Sequence, residues 1–368
     1  MTQLEQGERF KICIVTISLS SGGAERSTAL LSRLLDKEGF EVHLVTLNNN
    51  IDYSYSGKLY NLGKNKPEND SFINRLTRFN KFRKFIKREQ FDYIIDNRNR
   101  QFALKELFYL YFIYKGCNII YVVRSFNLSQ YFPKNKTVAK AMVKKSVGVV
   151  GVSKAIAQEI NSIYKTDKAV CIYNPIETFN KLSEGVNFKE KYILFLGRLV
   201  ESVKNFSLLL ESYKKSNLIS EKVSLKILGD GPDKSWIKNK ISSLGLTDYV
   251  EMIPFTTDVN PYLENAFFLT LTSKYEGFPR VLIESLSVGT PVISVDCKSG
   301  PNEIIKDGFN GILVENFNSN KLSEAFNRFI LDEDLYLTCK QNAKQSIEHL
   351  QQDVIAKQWT KYLNNEIR

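Results

Sequence analysis

The chain has 368 residues, 43% of them apolar and 25% charged, an ordinary profile for a globular protein with length enough for two cores. Residues 1–176 carry 28 Lys and Arg against 15 Asp and Glu, while residues 177–368 carry 23 against 25. The whole positive excess behind the net charge of +11 therefore lies in the first half, and predicts an anionic partner there: phosphate, acidic lipid or nucleic acid. The five cysteines form no C-x-x-C pair, so neither a disulfide framework nor a zinc motif is indicated, and no apolar stretch approaches the roughly 20 residues of a membrane span.

Met1 to Arg9 is polar and does not read as a secretory signal, so a cytoplasmic location is expected. Lys11 to Thr16 reads as a buried strand. Ser20-Ser21-Gly22-Gly23 follows, then a helix to about Lys37 and a second strand from Val42 to Leu47. This βαβ opening lacks G-x-G-x-x-G, so it carries no dinucleotide fingerprint. Gly22 and Gly23 still allow a close backbone approach to an anion, although a plain tight turn accounts for them equally. Residues 48–70 read as a loop with one short strand.

Phe72 to Arg88 reads as a helix, with Phe79, Phe82, Phe85 and Ile86 set among Arg75, Arg78, Lys81, Arg83, Lys84, Lys87 and Arg88. Such a helix suits an anionic membrane surface, and equally the basic solvent face of an α/β domain. Strands are expected at Phe91 to Asp96, Asn118 to Arg124, Val147 to Val152 and Ala169 to Tyr173. Helices are expected at Leu104 to Tyr114, which looks buried, and from Ser153, a good N-cap, to Tyr164. Residues 174–190 are polar and aperiodic, and read as a connection between domains.

A second α/β series follows, with strands at Tyr192 to Leu196, Leu225 to Leu228, Val250 to Ile253, Pro291 to Asp296 and Asn310 to Val314, then a helical tail from Asn320. Phe267 to Glu284 is its central stretch: an apolar β run, a loop with Glu276 and Gly277, then Pro279 where a helix can begin, with Val281, Leu282, Leu286 and Val288 on its apolar side. Strand, glycine-bearing loop and helix start make an anion site, because free N–H groups and the positive helix end face the loop. Glu276 and Glu284 can bind hydroxyls, although read alone they fit a solvated loop acid and a helix-surface acid. Alternating strands and helices predict parallel sheets covered on both faces, with ligands beyond the carboxy-terminal strand ends. Those ends carry Arg198, Gly229, Gly231, Glu276, Gly277, Gly300 and Glu303, a cluster that points to a phosphate-bearing ligand.

At this point the chain resembles the retaining nucleotide-sugar glycosyltransferases of family four, of the bacterial polysaccharide and glycan-assembly type. They have the GT-B fold: α/β, with two Rossmann-like domains whose parallel sheets face a cleft. Glu276 and Glu284 stand as an E-x7-E pair inside Glu276-Gly277-Phe278-Pro279. Gly197-Arg198-Leu199 with Lys204-Asn205, Gly229-Asp230-Gly231-Pro232, and Ser299-Gly300-Pro301-Asn302-Glu303 match neighbouring motifs, while Gly22-Gly23-Ala24-Glu25-Arg26 and Asn174-Pro175-Ile176 match in the first half.

The resemblance implies an acceptor-binding domain at 1–176, a nucleotide-sugar domain at 177–351, and a crossover helix at about 352–368. It implies that Arg198, Lys204 and Glu276 carry catalysis, and that the donor also meets Gly22, Gly23, Gly229, Gly231, Phe255, Gly277, Phe278, Pro279, Val281 and Glu284. Arg198 and Lys204 would hold the diphosphate, Glu284 the ribose and Glu276 the donor sugar, with no bound metal and no cofactor. Many relatives have a His after the strand that here ends at Arg124. This chain has Ser125-Phe126-Asn127 there, so Asp96, Arg124 and Asn127 stand as acceptor-side candidates, and His43 and His349 read as structural. Asp332-Glu333-Asp334 resembles a D-x-D metal motif but sits late, in a charged tail, and reads as a solvated face.

The implied function is transfer of a hexose or N-acetylhexosamine from a nucleoside diphosphate sugar, UDP-linked, to a glycan acceptor carried on a lipid, at the inner membrane face. A sugar-nucleotide 2-epimerase, a phosphorylase-like enzyme or an inactive nucleotide-sugar-binding partner on the same fold are the rivals. Nucleic acid is not an expected partner, for no recognition motif accompanies the basic residues.

Overall fold

The computed structural model describes residues 9–366 apart from 21, 65, 68 and 177–189. The expected connection over 174–190 therefore falls, for 177–189, outside the described residues. The chain divides into two units, one of residues 1–175 and 352–368, the other of residues 176–351.

The first unit holds a sheet of β1 (Lys11–Thr16), β2 (Glu41–Thr46), β3 (Lys58–Asn61), β4 (Tyr93–Asp96), β5 (Ile119–Val123), β6 (Gly148–Gly151) and β7 (Ala169–Cys171), in the order β3-β2-β1-β4-β5-β6-β7. The second holds β8 (Tyr192–Leu196), β9 (Ser224–Leu228), β10 (Val250–Ile253), β11 (Leu269–Leu271), β12 (Val292–Asp296) and β13 (Gly311–Glu315), in the order β10-β9-β8-β11-β12-β13. Every pairing is parallel. The central strands are buried end to end, as the YILFL of β8 shows, because helices cover both sheet faces. In the second unit Ile193, Phe195, Ile227, Phe268, Phe326 and Phe329 share one core. These are two Rossmann-like units, as the resemblance to the GT-B fold implies.

In both sheets the order runs outward from the first strand on one side and from the fourth on the other. The order thus reverses between β1 and β4 and again between β8 and β11. Such a switch point splays the neighbouring loops apart and leaves a crevice at the strands' carboxy-terminal ends.

Helix Gln352–Glu366 belongs to the first unit. Its Ala356 packs with Leu30 and Leu34 of helix Gly23–Lys37, Lys37 meets Asp353 at 2.9 Å, and the Tyr93 hydroxyl donates to the Leu363 carbonyl at 3.2 Å.

One element departs from expectation. Leu104 to Tyr114 is not a single buried helix: an α-helix over Ala103–Phe108 widens into a π-helical stretch over Tyr109–Ile113, and Leu104 is 84% exposed. The physical reason lies beneath it. Arg98 is fully buried, and its guanidinium packs 3.6 Å from the Tyr109 ring centre while pairing with Asp96 and Glu106 at 2.6 and 3.1 Å. A buried cation needs carboxylates to pair with, and an aromatic face adds to its stabilisation. In helix Phe72–Glu89, Phe82, Phe85 and Ile86 turn inward, whereas Arg75, Lys81, Lys84, Lys87 and Arg88 remain exposed.

Candidate active site

The second unit's crevice is built where β8 and β11 leave the sheet side by side. After β8 the chain passes through Gly197, Arg198 and Leu199 into a short helix, Glu201–Lys204, and Asn205 then takes a left-handed conformation at φ +56°. The Glu201 carboxylate caps the next helix, Phe206–Lys215, accepting from the Phe206 and Ser207 N–H groups at 2.5 and 3.3 Å. The segment is tied to the β11 exit by two bonds of 2.8 Å: the Thr272 hydroxyl donates to the Lys204 carbonyl, and the Lys274 N–H to the Val203 carbonyl.

This stitching brings two distant side chains together. Lys204 Nζ lies 2.6 Å from Glu276 Oε1, which also accepts from the Ser273 hydroxyl at 2.7 Å. Both side chains of the ion pair keep some solvent access. Glu276 Oε2 accepts no hydrogen bond among the described residues, so half of that carboxylate is free to receive a ligand hydroxyl. Arg198 is exposed, and its guanidinium forms no hydrogen bond or ion pair among the described residues. A ready cation and a cation held by a carboxylate thus leave the sheet on one loop.

The β12 exit closes the other side. The Glu276 N–H donates to the Lys298 carbonyl at 3.2 Å, and the Ser299 hydroxyl to the Gly277 carbonyl at 2.6 Å. Pro279 does not occupy the first helical position, as expected, but the N-cap of helix Arg280–Val288, where no side chain caps the first turn. The uncapped amides of that turn keep their capacity for an anion. Val281 is half-buried there, and Phe278 is buried. Glu284 is buried rather than on the helix surface, with Arg280 Nη2 at 3.3 Å from its Oε1. Burial also pushes the Cys297 thiol far above its ordinary pKa, with the Glu276 charge adding to the rise.

Gly229 and Gly231 have a packing reason to be glycines. A Cβ on Gly229 would lie 1.9 Å from the Gly197 carbonyl oxygen, and one on Gly231 would lie 2.3 Å from that of Leu199. The β9 exit therefore presses backbone to backbone against the loop bearing Arg198, and the Leu199 N–H donates to the Asp230 carbonyl at 2.9 Å. Phe255 stands exposed after β10.

In the first unit Gly22 is the N-cap of helix Gly23–Lys37 and its N–H donates to the Tyr53 hydroxyl at 3.3 Å; Gly23 opens that helix and is exposed. Arg124 bonds the Asn174 side-chain carbonyl at 2.6 Å and that of Asn97 at 3.3 Å, and Asn127 accepts from the Ser129 hydroxyl at 2.7 Å. Asp96 requires a correction. It is fully buried, its carboxylate divided between Arg98 and Arg100 with the Tyr114 hydroxyl 3.2 Å away, so no face remains for an acceptor. The guanidiniums hold Asp96 below the usual carboxylate range against the opposing effect of burial.

His43 is buried, bonded to Glu41 at 2.9 Å and flanked by the Phe85 and Phe91 rings. Asp332 caps helix Glu333–Ser346 by accepting from the Leu335 N–H at 3.0 Å, which uses the first acid of the D-x-D resemblance in a helix start. Among the described residues no three His, Cys, Asp or Glu side chains converge as a metal site requires. Reading the sequence missed Ser273, which steadies Glu276, and Arg98 and Arg100. The D-x-R-x-R spacing after β4 was the available signal for the two arginines.

Residues 21–178 match the family described as Glycosyltransferase Family 4, and residues 177–346 the family described as Glycosyl transferases group 1. A relative from Campylobacter jejuni, named N-acetylgalactosamine-N,N'-diacetylbacillosaminyl-diphospho-undecaprenol 4-alpha-N-acetylgalactosaminyltransferase, is 29% identical over 370 residues, spanning 96% of this chain and 99% of its own. The amylovoran biosynthesis glycosyltransferase AmsD of Erwinia amylovora is 27% identical over 369 residues, 96% of this chain and 100% of its own. Among solved structures, HepE of Anabaena in complex with UDP-glucose has a TM-score of 0.77 at 18% identity, over 97% of this chain and 100% of that one, a likeness of fold. With one family match on each of its two Rossmann-like units and full-length relatives that are glycosyltransferases by name, the chain belongs to the GT-B glycosyltransferases that join a family 4 domain to a group 1 domain.

Proposed function

We propose that this enzyme transfers a hexose or N-acetylhexosamine from a UDP-sugar to a lipid-linked glycan, with retention at the anomeric carbon, as a step of bacterial polysaccharide or glycan assembly. The observation that carries the reading is the Lys204–Glu276 pair at the β8–β11 switch point, with Arg198, which has no partner among the described residues, on the same loop. The Campylobacter relative is named for a diphospho-undecaprenol-linked acceptor, and HepE was solved with UDP-glucose; both names favour these substrate classes.

The chemistry follows from charge. As the bond from the anomeric carbon to the phosphate oxygen breaks, the diphosphate gains negative charge. Arg198 and Lys204, carried by the same loop at the sheet's edge, stabilise it as it forms. Lys204 trades its carboxylate partner for phosphate, and Glu276 is released toward the donor's sugar hydroxyls. Glu284 binds the ribose. The acceptor hydroxyl attacks from the face the diphosphate leaves, and its proton passes to the departing phosphate oxygen, which keeps the anomeric configuration. Two cations suffice for this charge, so activity without a divalent metal is part of the proposal. The second unit takes the donor, the first takes the acceptor, and the basic first half draws the enzyme to the anionic membrane face.

The test is to incubate the purified enzyme with UDP-hexoses and UDP-N-acetylhexosamines and a prenyl-diphosphate-linked sugar, and to assign the product anomer by NMR. An α-donor giving an α-linked product supports the reading. An inverted product, an epimerised nucleotide sugar, or UDP binding without turnover on any acceptor would sink it.

A further inference from the structure

A cavity of about 940 Å3 opens at the carboxy-terminal edge of the first unit's sheet, within the range of small-molecule sites. Ile17 and Leu47, the residues just after β1 and β2, line it. So do Leu76 and Phe79 of helix Phe72–Glu89 and Leu104 and Phe108 of helix Ala103–Phe108. The helix bearing Leu104 follows β4, so the cavity lies beside the β1–β4 reversal in strand order, where open α/β sheets take ligands.

Its charge is one-sided. Lys66, Arg75, Arg78 and Lys105 border it, against Asp70 alone among the acids. Asp70 accepts from Arg75 Nε at 3.2 Å and from Arg78 Nη1 at 2.7 Å, so one carboxylate is shared by two guanidiniums and the rim stays positive. Tyr109 lines the cavity as well, and its buried hydroxyl has no hydrogen-bond partner among the described residues. An apolar basin under a cationic rim fits a hydrocarbon chain that ends in phosphate.

A second cavity, about 560 Å3, lies across the same stretch of chain. Gln101, Phe102 and Ala103 line it, together with the amide side chains of Asn127, Gln130 and Asn135. Phe102 is 69% exposed. The Asn127 and Asn135 side-chain carbonyls accept from the Ser129 hydroxyl and from the Thr137 and Val138 N–H groups, so the amides offer mainly N–H donors. An open aromatic face beside such donors suits a sugar ring, which is apolar on its C–H faces and polar at its edge.

We infer that the stretch Gln101–Lys105 divides an amphiphilic acceptor between the two cavities: the apolar basin takes the first isoprene units of a prenyl chain, the cationic rim its diphosphate, and the amide groove the attached sugar. The assignment rests on the proposed transfer to a lipid-linked acceptor and names where that acceptor sits. A concave basin encloses a single chain, whereas a bilayer needs a convex apolar face. On helix Phe72–Glu89, Phe82, Phe85 and Ile86 are buried in the unit's own core, which leaves Ile73 and Leu76, near its start, as the exposed apolar side chains among those described.

The test uses the full-length enzyme and farnesyl diphosphate as probe, with affinity measured by calorimetry. Farnesyl diphosphate should bind, with inorganic diphosphate and farnesol each at least roughly tenfold weaker, because each lacks one half of the match. Leu104→Glu and Lys105→Glu, both at exposed side chains, should each weaken farnesyl diphosphate roughly tenfold and leave UDP affinity unchanged. With a prenyl-diphosphate-linked sugar, the same variants should raise KM and leave kcat unchanged, without affecting an aryl glycoside acceptor, whereas Phe102→Ala should raise KM for both. The inference is overturned if farnesyl diphosphate does not bind, or binds both charge variants as it binds the wild type. It is equally overturned if those variants weaken only the protein's binding to phosphatidylglycerol vesicles, which would make the surface a membrane dock. Farnesyl diphosphate binding without transfer to any prenyl acceptor would remove the lipid-linked reading of the function instead. Transfer to prenyl acceptors without such binding would remove only this placement.

Discussion

Lys204 and Glu276 are 72 positions apart in the chain and 2.6 Å apart in the fold, cation against carboxylate at the mouth of the second sheet. The pair stands ready without ligand, each side chain holding the other in place. On the proposed reading, a diphosphate competes with Glu276 for the ammonium, and a sugar hydroxyl gains a carboxylate oxygen when it succeeds.

That competition predicts opposite effects on binding and turnover. Glu276→Gln removes the rival for Lys204, so UDP should bind as tightly as before or more tightly, while kcat for sugar transfer falls roughly 100-fold or more through loss of a transition-state contact. Lys204→Ala should weaken UDP and lower kcat together. Calorimetry with UDP and steady-state transfer rates read both; a Glu276→Gln enzyme with normal kcat contradicts the role.

Gly229→Ala should act through stability. Its Cβ would sit 1.9 Å from a carbonyl oxygen, at a glycine with φ +154°, so the β9 and β8 exits must move apart. The expected loss is about 1–3 kcal/mol, visible as a lower urea midpoint at unchanged slope. Gly231→Ala should behave alike, with its clash at the Leu199 carbonyl.

Asp96 distinguishes a structural role from an acceptor role. Asp96→Asn leaves Arg98 and Arg100 buried without their shared counter-charge, and breaking such a pair costs about 3–5 kcal/mol. Thermal midpoint should fall strongly, while KM for the acceptor, measured well below that midpoint, stays at its wild-type value. A raised KM at unchanged stability would return Asp96 to the acceptor.

Acid sensitivity should trace partly to Glu41. Lys58 Nζ at 2.8 Å, and then His43 Nε2 at 2.9 Å, hold its carboxyl down at about 2. The unfolded value is about 4.3. Between the two the unfolded chain binds the extra proton, so stability rises with pH there; the contribution is whole above the unfolded value and vanishes as pH falls through the folded one. Urea midpoints from pH 5 to pH 3 should fall more steeply for wild type than for Glu41→Gln.

The strands were readable in the sequence because parallel strands covered on both faces are unbroken apolar runs, as Ile193 to Leu196 illustrate. The acids, glycines and cations at their ends were readable as a group for the same reason: each follows such a run. The Lys204–Glu276 contact was not, because it depends on β8 lying next to β11, and strand order is written in no single segment. Arg98 and Arg100 were unreadable in another way. Arginine is seldom wholly buried, so two of them after a strand look like solvent-facing residues until the π-helical stretch brings the Tyr109 ring over Arg98.

Helix Gln352–Glu366 has a consequence for biogenesis. It is made after the whole second unit, yet Ala356 covers Leu30 and Leu34, and Trp359 and Leu363 are buried with it. A nascent chain that has reached residue 175 thus carries an incomplete first unit for the next 176 residues of translation, with part of its apolar surface bare. Ribosome stalling or a nonsense codon anywhere in that interval should yield a chaperone client, not a smaller working domain.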